Sequence, residues 1–242
     1  MRVCVALMLL IGCAGRQPQA TSQPALDPRF AVAEVLYSDD FRNGTSQWIA
    51  ELESGGTVEA HDGKLDIDVP AGCSVWFKHL IQGPVLIEYD ATVIKSDGPN
   101  DRVSDLNCFW MATDARAVGG DFFSVNRSGK FADYNQLCCY YVGLGGNSNT
   151  TTRFRRYIGS PTTRPLLPED DLQDERFLIE PNSTQKIRLI ACGPIVQYWR
   201  NQIKLFEYTD PEPYGQGWFA LRTVTNHMRI EKFRVFRLKS MP

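Results

Sequence analysis

Between residues 30 and 240 the chain runs in short apolar stretches broken by Gly, Pro, Asn and Asp, and no stretch sustains a helical period. The clearest case is Val85 to Ile94. There Val85, Ile87, Tyr89, Ala91 and Val93 alternate with Leu86, Glu88, Asp90, Thr92 and Ile94, which predicts a strand with one apolar and one mixed face. VEAHDGKLDIDV reads as a hairpin turning at Asp62-Gly63, because both positions tolerate the left-handed backbone of a two-residue turn. A break is expected at Gln82-Gly83-Pro84 and a tight turn at Arg200-Asn201-Gln202. Many short strands and no helices predict an all-β fold, a sandwich of two antiparallel sheets. The proline-rich, acidic stretch SPTTRPLLPEDDLQDERFLIEPN is too long for a hairpin loop and reads either as a binding loop or lid, or as a plain surface connection.

Before residue 30 the pattern changes. MRVCVALMLLIGCAG carries one basic residue, Arg2, then an apolar stretch from Val3 to Ile11 that is too short to span a bilayer. It resembles a bacterial lipoprotein signal, with a cleavage box at Leu10, Ile11 and Gly12 and lipidation expected at Cys13. An ordinary secretory signal or a buried first strand is the alternative. AGRQPQATSQPALDPR has no periodicity and reads as a tether. The expected organisation is a signal peptide over 1–12, lipidated Cys13 and tether over 13–29, and one domain over 30–242, anchored by lipid at a bacterial envelope.

Composition adds exclusions. A net charge of −2 with 43% apolar residues describes a globular domain with no excess of positive charge to attract nucleic acid. Beyond the signal, Cys73, Cys108, Cys138, Cys139 and Cys192 lack zinc-finger spacing, so buried thiols are expected, with one disulfide open in an oxidising compartment. No cofactor is implied. Asp97, Asn100, Asp101 and Asp105 in SDGPNDRVSD offer oxygen ligands for calcium, but their spacing matches no EF-hand loop.

DDFRNGTSQWIAE, HDGKLDI and EPYGQGWFALRTVTNHMRIEKFRVFRL, in that order, resemble the concanavalin A-like jelly rolls of bacterial carbohydrate-active proteins. More closely, NCFWMATD, YYVGLGGNSNTTTRFRRY, RPLLPE, DPEPYGQGWFALRT and NHMRIEKFRVFRL are similar to the YesU-like group, a domain-of-unknown-function family found with pectin and rhamnogalacturonan utilisation genes. The resemblance covers roughly residues 35 to 240. It implies a jelly roll and an acidic polysaccharide or oligosaccharide ligand, and it supplies no catalytic residues.

Those must be read from the side chains. In CCYYVGLGGNSNTTTRFRRY, Cys139, Tyr141 and Gly143 share one strand face, as do Thr151, Arg153, Arg155 and Tyr157 on the next strand, while Phe154 should point inward. Arg153 and Arg155 can bind a carboxylate through paired hydrogen bonds. Alternatively they are matched internally by Glu88, Asp90 or Asp105. A lyase acting on a uronate needs a group to neutralise the carboxylate and a base to take the neighbouring proton; the candidates are Arg153, Arg155, Tyr141, His79 and His227. Asn107, Trp110, Tyr140, Arg222 and Asn226 are the candidate substrate contacts. A glycoside hydrolase needs two facing carboxylates, and no pair stands out, since Glu51, Glu53, Asp66 and Asp68 share faces as readily as Glu88 and Asp90. The rival readings are a glycan-binding module without a competent base and a structural envelope lipoprotein.

Overall fold

The computed structural model describes residues 27–241, so the signal and most of the tether, with the expected lipidation at Cys13, lie outside the described residues. In chain order the strands are β1 (Phe30–Asp39), β2 (Trp48–Leu52), β3 (Thr57–His61), β4 (Lys64–Val69), β5 (Cys73–Phe77), β6 (Ile81–Gln82), β7 (Val85–Val93) and β8 (Leu106–Asp114). There follow β9 (Leu137–Gly145), β10 (Thr151–Ile158), β11 (Asp171–Leu172), β12 (Gln185–Cys192), β13 (Ile195–Arg200), β14 (Ile203–Thr209), β15 (Gln216–Thr223) and β16 (Asn226–Ser240). One antiparallel sheet runs β14-β13-β12-β7-β16-β4-β3 with β1 also on β16; the other runs β11-β10-β9-β8-β15-β5-β2 with β6 also on β15. The all-β sandwich read from the sequence is the observed fold.

Alternation decides which faces meet. Val85, Ile87, Tyr89, Ala91 and Val93 of β7 pack in one cluster with Leu106, Cys108 and Trp110 of β8, Tyr140, Val142 and Leu144 of β9, and Phe154 of β10. Each large aliphatic or aromatic side chain among them contributes roughly 1.5–3 kcal/mol on removal from water, before entropy is counted. The turns fall where the sequence puts them. Asp62 and Gly63 adopt φ of 51° and 75° between β3 and β4, and Asn201 takes φ of 55° between β13 and β14. All five cysteines from Cys73 to Cys192 are free thiols, and burial pushes those of Cys73 and Cys108 up to about 12.

The outer face of the first sheet is closed by ion pairs. Glu88 accepts from Arg188 at 3.2 Å and from Arg234, and Asp90 meets Lys186 at 3.1 Å and Lys232 at 3.0 Å. Glu88 and Asp90 therefore serve this sheet and not the arginines of β10.

Candidate functional site: a basic pocket on the second sheet

Register places two transverse rows on the outer face of the second sheet. One runs Glu51, Ser74, Arg222, Asn107, Gly143, Arg153 and Asp171; the next runs Ile49, Trp76, Ala220, Phe109, Tyr141 and Arg155. At its fifth position the polar row is interrupted by Gly143. A Cβ there would stand 2.8 Å from the Tyr141 hydroxyl, so glycine is what lets that ring lie flat against the sheet.

Much of this face is covered by the chain itself. The segment between β8 and β9 folds over it, inserting Phe122 and Tyr134 beside Trp76 and Phe109. It is latched by a buried polar cluster: Glu51 accepts from Trp76 Nε1 at 2.9 Å, the Tyr134 hydroxyl at 2.7 Å and Arg127 Nε at 3.0 Å. Arg127 lies 4.2 Å over Phe122 and is also 3.4 Å from Asp114. Burial raises the Glu51 pKa, with Arg127 opposing the shift. Arg222 is locked under the same segment, donating to the Gly129 carbonyl and stacking on Tyr134.

At the uncovered end a cavity of about 330 Å³ remains, with Tyr141, Asn107, Arg153 and Arg155 from the sheet, Asp105 and Asn147 at one rim, and Phe131 and Arg164 at the other. Arg153 is paired with Asp171 through two hydrogen bonds of 2.8 and 3.0 Å. Arg155 donates to the carbonyl of Arg164 at 2.5 Å, and Arg164 stacks over Phe131 at 5.2 Å. Among the described residues no carboxylate lies within salt-bridge distance of Arg155 or Arg164. Burial, with Arg164 and Arg153 close by, lowers the Arg155 pKa. Tyr141 is buried, which pushes its phenol well up, and its hydroxyl makes no hydrogen bond within the described residues. Asp105, with φ of 57°, is the sole carboxylate in the lining, held by Ser104 and Asn107.

The structure thus brings together Tyr141, Arg153, Arg155 and Asn107 and leaves the other expected residues elsewhere. Trp110 and Tyr140 face the inter-sheet core, where the Tyr140 hydroxyl donates to Asp210 at 2.7 Å; strand alternation puts them opposite Tyr141. Arg222 is on the right face but sealed, with 1% exposure. Asn226 is wholly buried, donating to the Ser104 carbonyl and Thr223. His79 stacks on Tyr37 and Phe77, outside the pocket. His227 belongs to the other sheet, where Asp101 at 2.9 Å and Asp66 at 3.1 Å hold its two ring nitrogens. In the loop with Asp97 and Asn100, Asp101 also accepts the backbone N–H of Ser96 and Gly98, and Asn100 donates to Asp68. No group of three metal-ligating side chains occurs among the described residues. Sequence reasoning missed Arg164, Phe131 and Asp171. Arg164 comes from a loop, Phe131 from a 3-10 turn and Asp171 from the two-residue strand β11, and none of these is long enough for a period to signal which way its side chain points.

Solved structures share the fold. A protein of unknown function with a galectin-like fold from Bacillus subtilis is 16% identical, with a TM-score of 0.68 over 88% of this chain and 100% of that one. The carbohydrate binding module CBM66 from Bacillus subtilis is 10% identical, with a TM-score of 0.51 over 80% of this chain and 96% of its own. β-Agarase B from Zobellia galactanivorans is 11% identical, with a TM-score of 0.55 over 90% of this chain and 98% of its own, and an inactivated mutant of β-agarase B was solved with agaro-octaose. No curated protein matches the sequence. The family described as Domain of unknown function (DUF6250) matches residues 67–233, more than half of the chain, and the protein belongs to that family.

Proposed function

We propose that the protein binds an acidic polysaccharide of the pectin or rhamnogalacturonan type at the bacterial envelope, anchored through lipid on Cys13, and that the basic pocket receives a uronate residue. The observation that carries this reading is Arg155: a partly buried guanidinium beside two others, with no carboxylate in salt-bridge contact with it among the described residues. A desolvated cation of this kind is unfavourable alone and favourable with an anion, and a planar carboxylate matches its paired donors. Phe131, under Arg164, and Tyr141 supply apolar lining beside the same sugar. That a carbohydrate binding module and an agarase have this architecture is consistent with the reading.

Binding is favoured over cleavage because the pocket holds one carboxylate and no histidine. Glycoside hydrolysis uses two carboxyls, about 5–5.5 or 6.5–9.5 Å apart. One observation favours β-elimination as a second reading: the Tyr141 hydroxyl, without a hydrogen-bond partner among the described residues, stands beside the arginines and can exchange a proton with a uronate C–H, as can the Asp105 carboxylate at the rim.

Oligogalacturonides of defined length, titrated calorimetrically against the protein, test the proposal. Binding is expected, and Arg155→Ala should weaken it at least about tenfold, the equivalent of about 1.4 kcal/mol. Absorbance of unsaturated uronates that rises with the wild type and not with Tyr141→Phe would move the assignment to a lyase. Absence of binding across acidic glycans, with folded protein, would refute it.

A further inference from the structure

The basic pocket is walled on two sides by the chain itself. Across the strands, the segment between β8 and β9 presents Phe131, whose ring meets Tyr141 at 5.9 Å and has the Arg222 guanidinium 5.4 Å over it. Along the strands, beyond Arg155, the long loop joins that same segment: Arg164 stacks on Phe131 at 5.2 Å, and Asn135 donates to the Pro161 carbonyl at 3.3 Å. A polymer laid across the sheet would have to pass through the first wall, and one laid along β9 and β10 would have to pass through the second. At about 330 Å³ the cavity is at the small end of the roughly 300–1,000 Å³ of ligand sites, with room for one sugar ring and its substituents.

Its lining holds an acceptor without a donor. Asn107 is 2% exposed, and its Nδ2 donates to Asp105 at 3.3 Å, which fixes the orientation of the amide because a carboxylate only accepts. Asn107 Oδ1 is left buried with no hydrogen-bond partner among the described residues. Such an atom is costly to the fold, and a ligand hydroxyl removes the cost. Asn107 and Arg153 face each other across β9, roughly 10 Å apart at the backbone, and Arg155 stands two residues further along β10. One ring reaches from a carboxylate at Arg155 to a hydroxyl at Asn107. We propose that the pocket recognises the end of an acidic glycan and not its interior: it takes the non-reducing terminal uronate, the carboxylate on Arg155 and the neighbouring free hydroxyl donating to Asn107 Oδ1. In a uronan linked through the oxygen beside the carboxylate-bearing carbon, every internal residue has that oxygen committed to the glycosidic bond, and the terminal residue alone carries it as a hydroxyl. Chain-end recognition rests on the uronate reading of the pocket and adds where along a polymer the pocket binds.

The test is calorimetric titration of the full chain with four probes: trigalacturonate, hexagalacturonate, trigalacturonate reduced to the alditol at its reducing end, and trigalacturonate methylated at O4 of its non-reducing residue. The trimer, hexamer and reduced trimer are expected to bind one protein each with the same Kd. The methyl ether, which has no hydrogen to donate to Asn107, is expected to bind at least about tenfold more weakly. Asn107→Ala should erase the difference between the methyl ether and the trimer, a result that general damage to the fold does not produce, and the four probes decide the question on the wild-type protein should that variant not fold. More than one protein on each hexamer, a Kd that tightens with chain length, or a methyl ether that binds as well as the trimer would overturn the proposal; so would loss of binding on reduction, which would assign the pocket to the opposite end. Binding of none of the four to folded protein would instead refute the uronate reading itself, so the two failures are told apart.

Discussion

A guanidinium taken partly out of water without a carboxylate beside it weakens a fold, and Arg155 is in that position while its strand neighbour Arg153 has Asp171. The contrast separates a structural arginine from a functional one. Arg155→Leu is expected to leave thermal stability unchanged or raise it slightly while uronate binding is lost, whereas Arg153→Leu should lower stability because it strands Asp171; melting curves and titrations on the two variants check this. Asp170 makes a second residue-scale case. Its carboxyl is raised from 3.8 to about 6, first by burial and then by Glu169, so the ionised form is the unfavourable one in the fold. The stability associated with this group is full below pH 3.8 and is lost as pH rises through 6. Asp170→Asn should therefore stabilise the protein by about 1–2 kcal/mol at pH 8 and by nearly nothing at pH 3.5, measured by chemical denaturation at both values.

At the scale of elements, the β9–β10 hairpin was legible because alternation is a local property. Arg153, Arg155 and Tyr141 share a face for the same reason that Phe154 and Tyr140 share the other, and Asn147, Ser148 and Asn149 with positive φ mark the turn. Which hairpin face looked outward was also legible, from Phe154. The segment covering half of that face was not. Its 3-10 turns have no period, and its hold on the sheet depends on Glu51, Trp76, Asp114 and Arg127, which come from widely separated parts of the chain. Removing one member leaves a buried charge behind. Glu51→Ala should cost about 3–5 kcal/mol by exposing that asymmetry, and urea unfolding followed by tryptophan fluorescence would register it through Trp76. Gly143→Ala should cost about 1–3 kcal/mol, since its Cβ must displace the Tyr141 ring, and should weaken saccharide binding with it.

For the whole molecule, the consequential pairing is that of the two ends. β1 lies along β16 from Phe30↔Ser240 to Asp39↔Phe233, and β16 in turn sits centrally between β7 and β4. The last strand among the described residues is thus in the middle of the first sheet and carries Met228, Ile230, Phe233 and Val235 into the core. A chain cut before Asn226 should show no cooperative unfolding transition in near-ultraviolet circular dichroism, although it keeps most of its strands. The dominance of contacts distant in sequence also predicts folding on the millisecond-to-second scale of β-sandwiches, which stopped-flow fluorescence can time.

By itself the sequence determined the fold class, the turns at Asp62-Gly63 and Asn201, the two faces of β7 and β10, and the pairing of Tyr141 with two arginines on one surface. These follow from side-chain period and turn chemistry, which act over a few residues. The tertiary structure alone decided that Arg153 is neutralised and Arg155 is not, that Arg222 is sealed, that His79 and His227 stand away from the arginines, and that Arg164 and Asp170 arrive from the long loop. Charge pairing and burial depend on distances between segments far apart in the chain, and such distances are set only when the two sheets close around their common core.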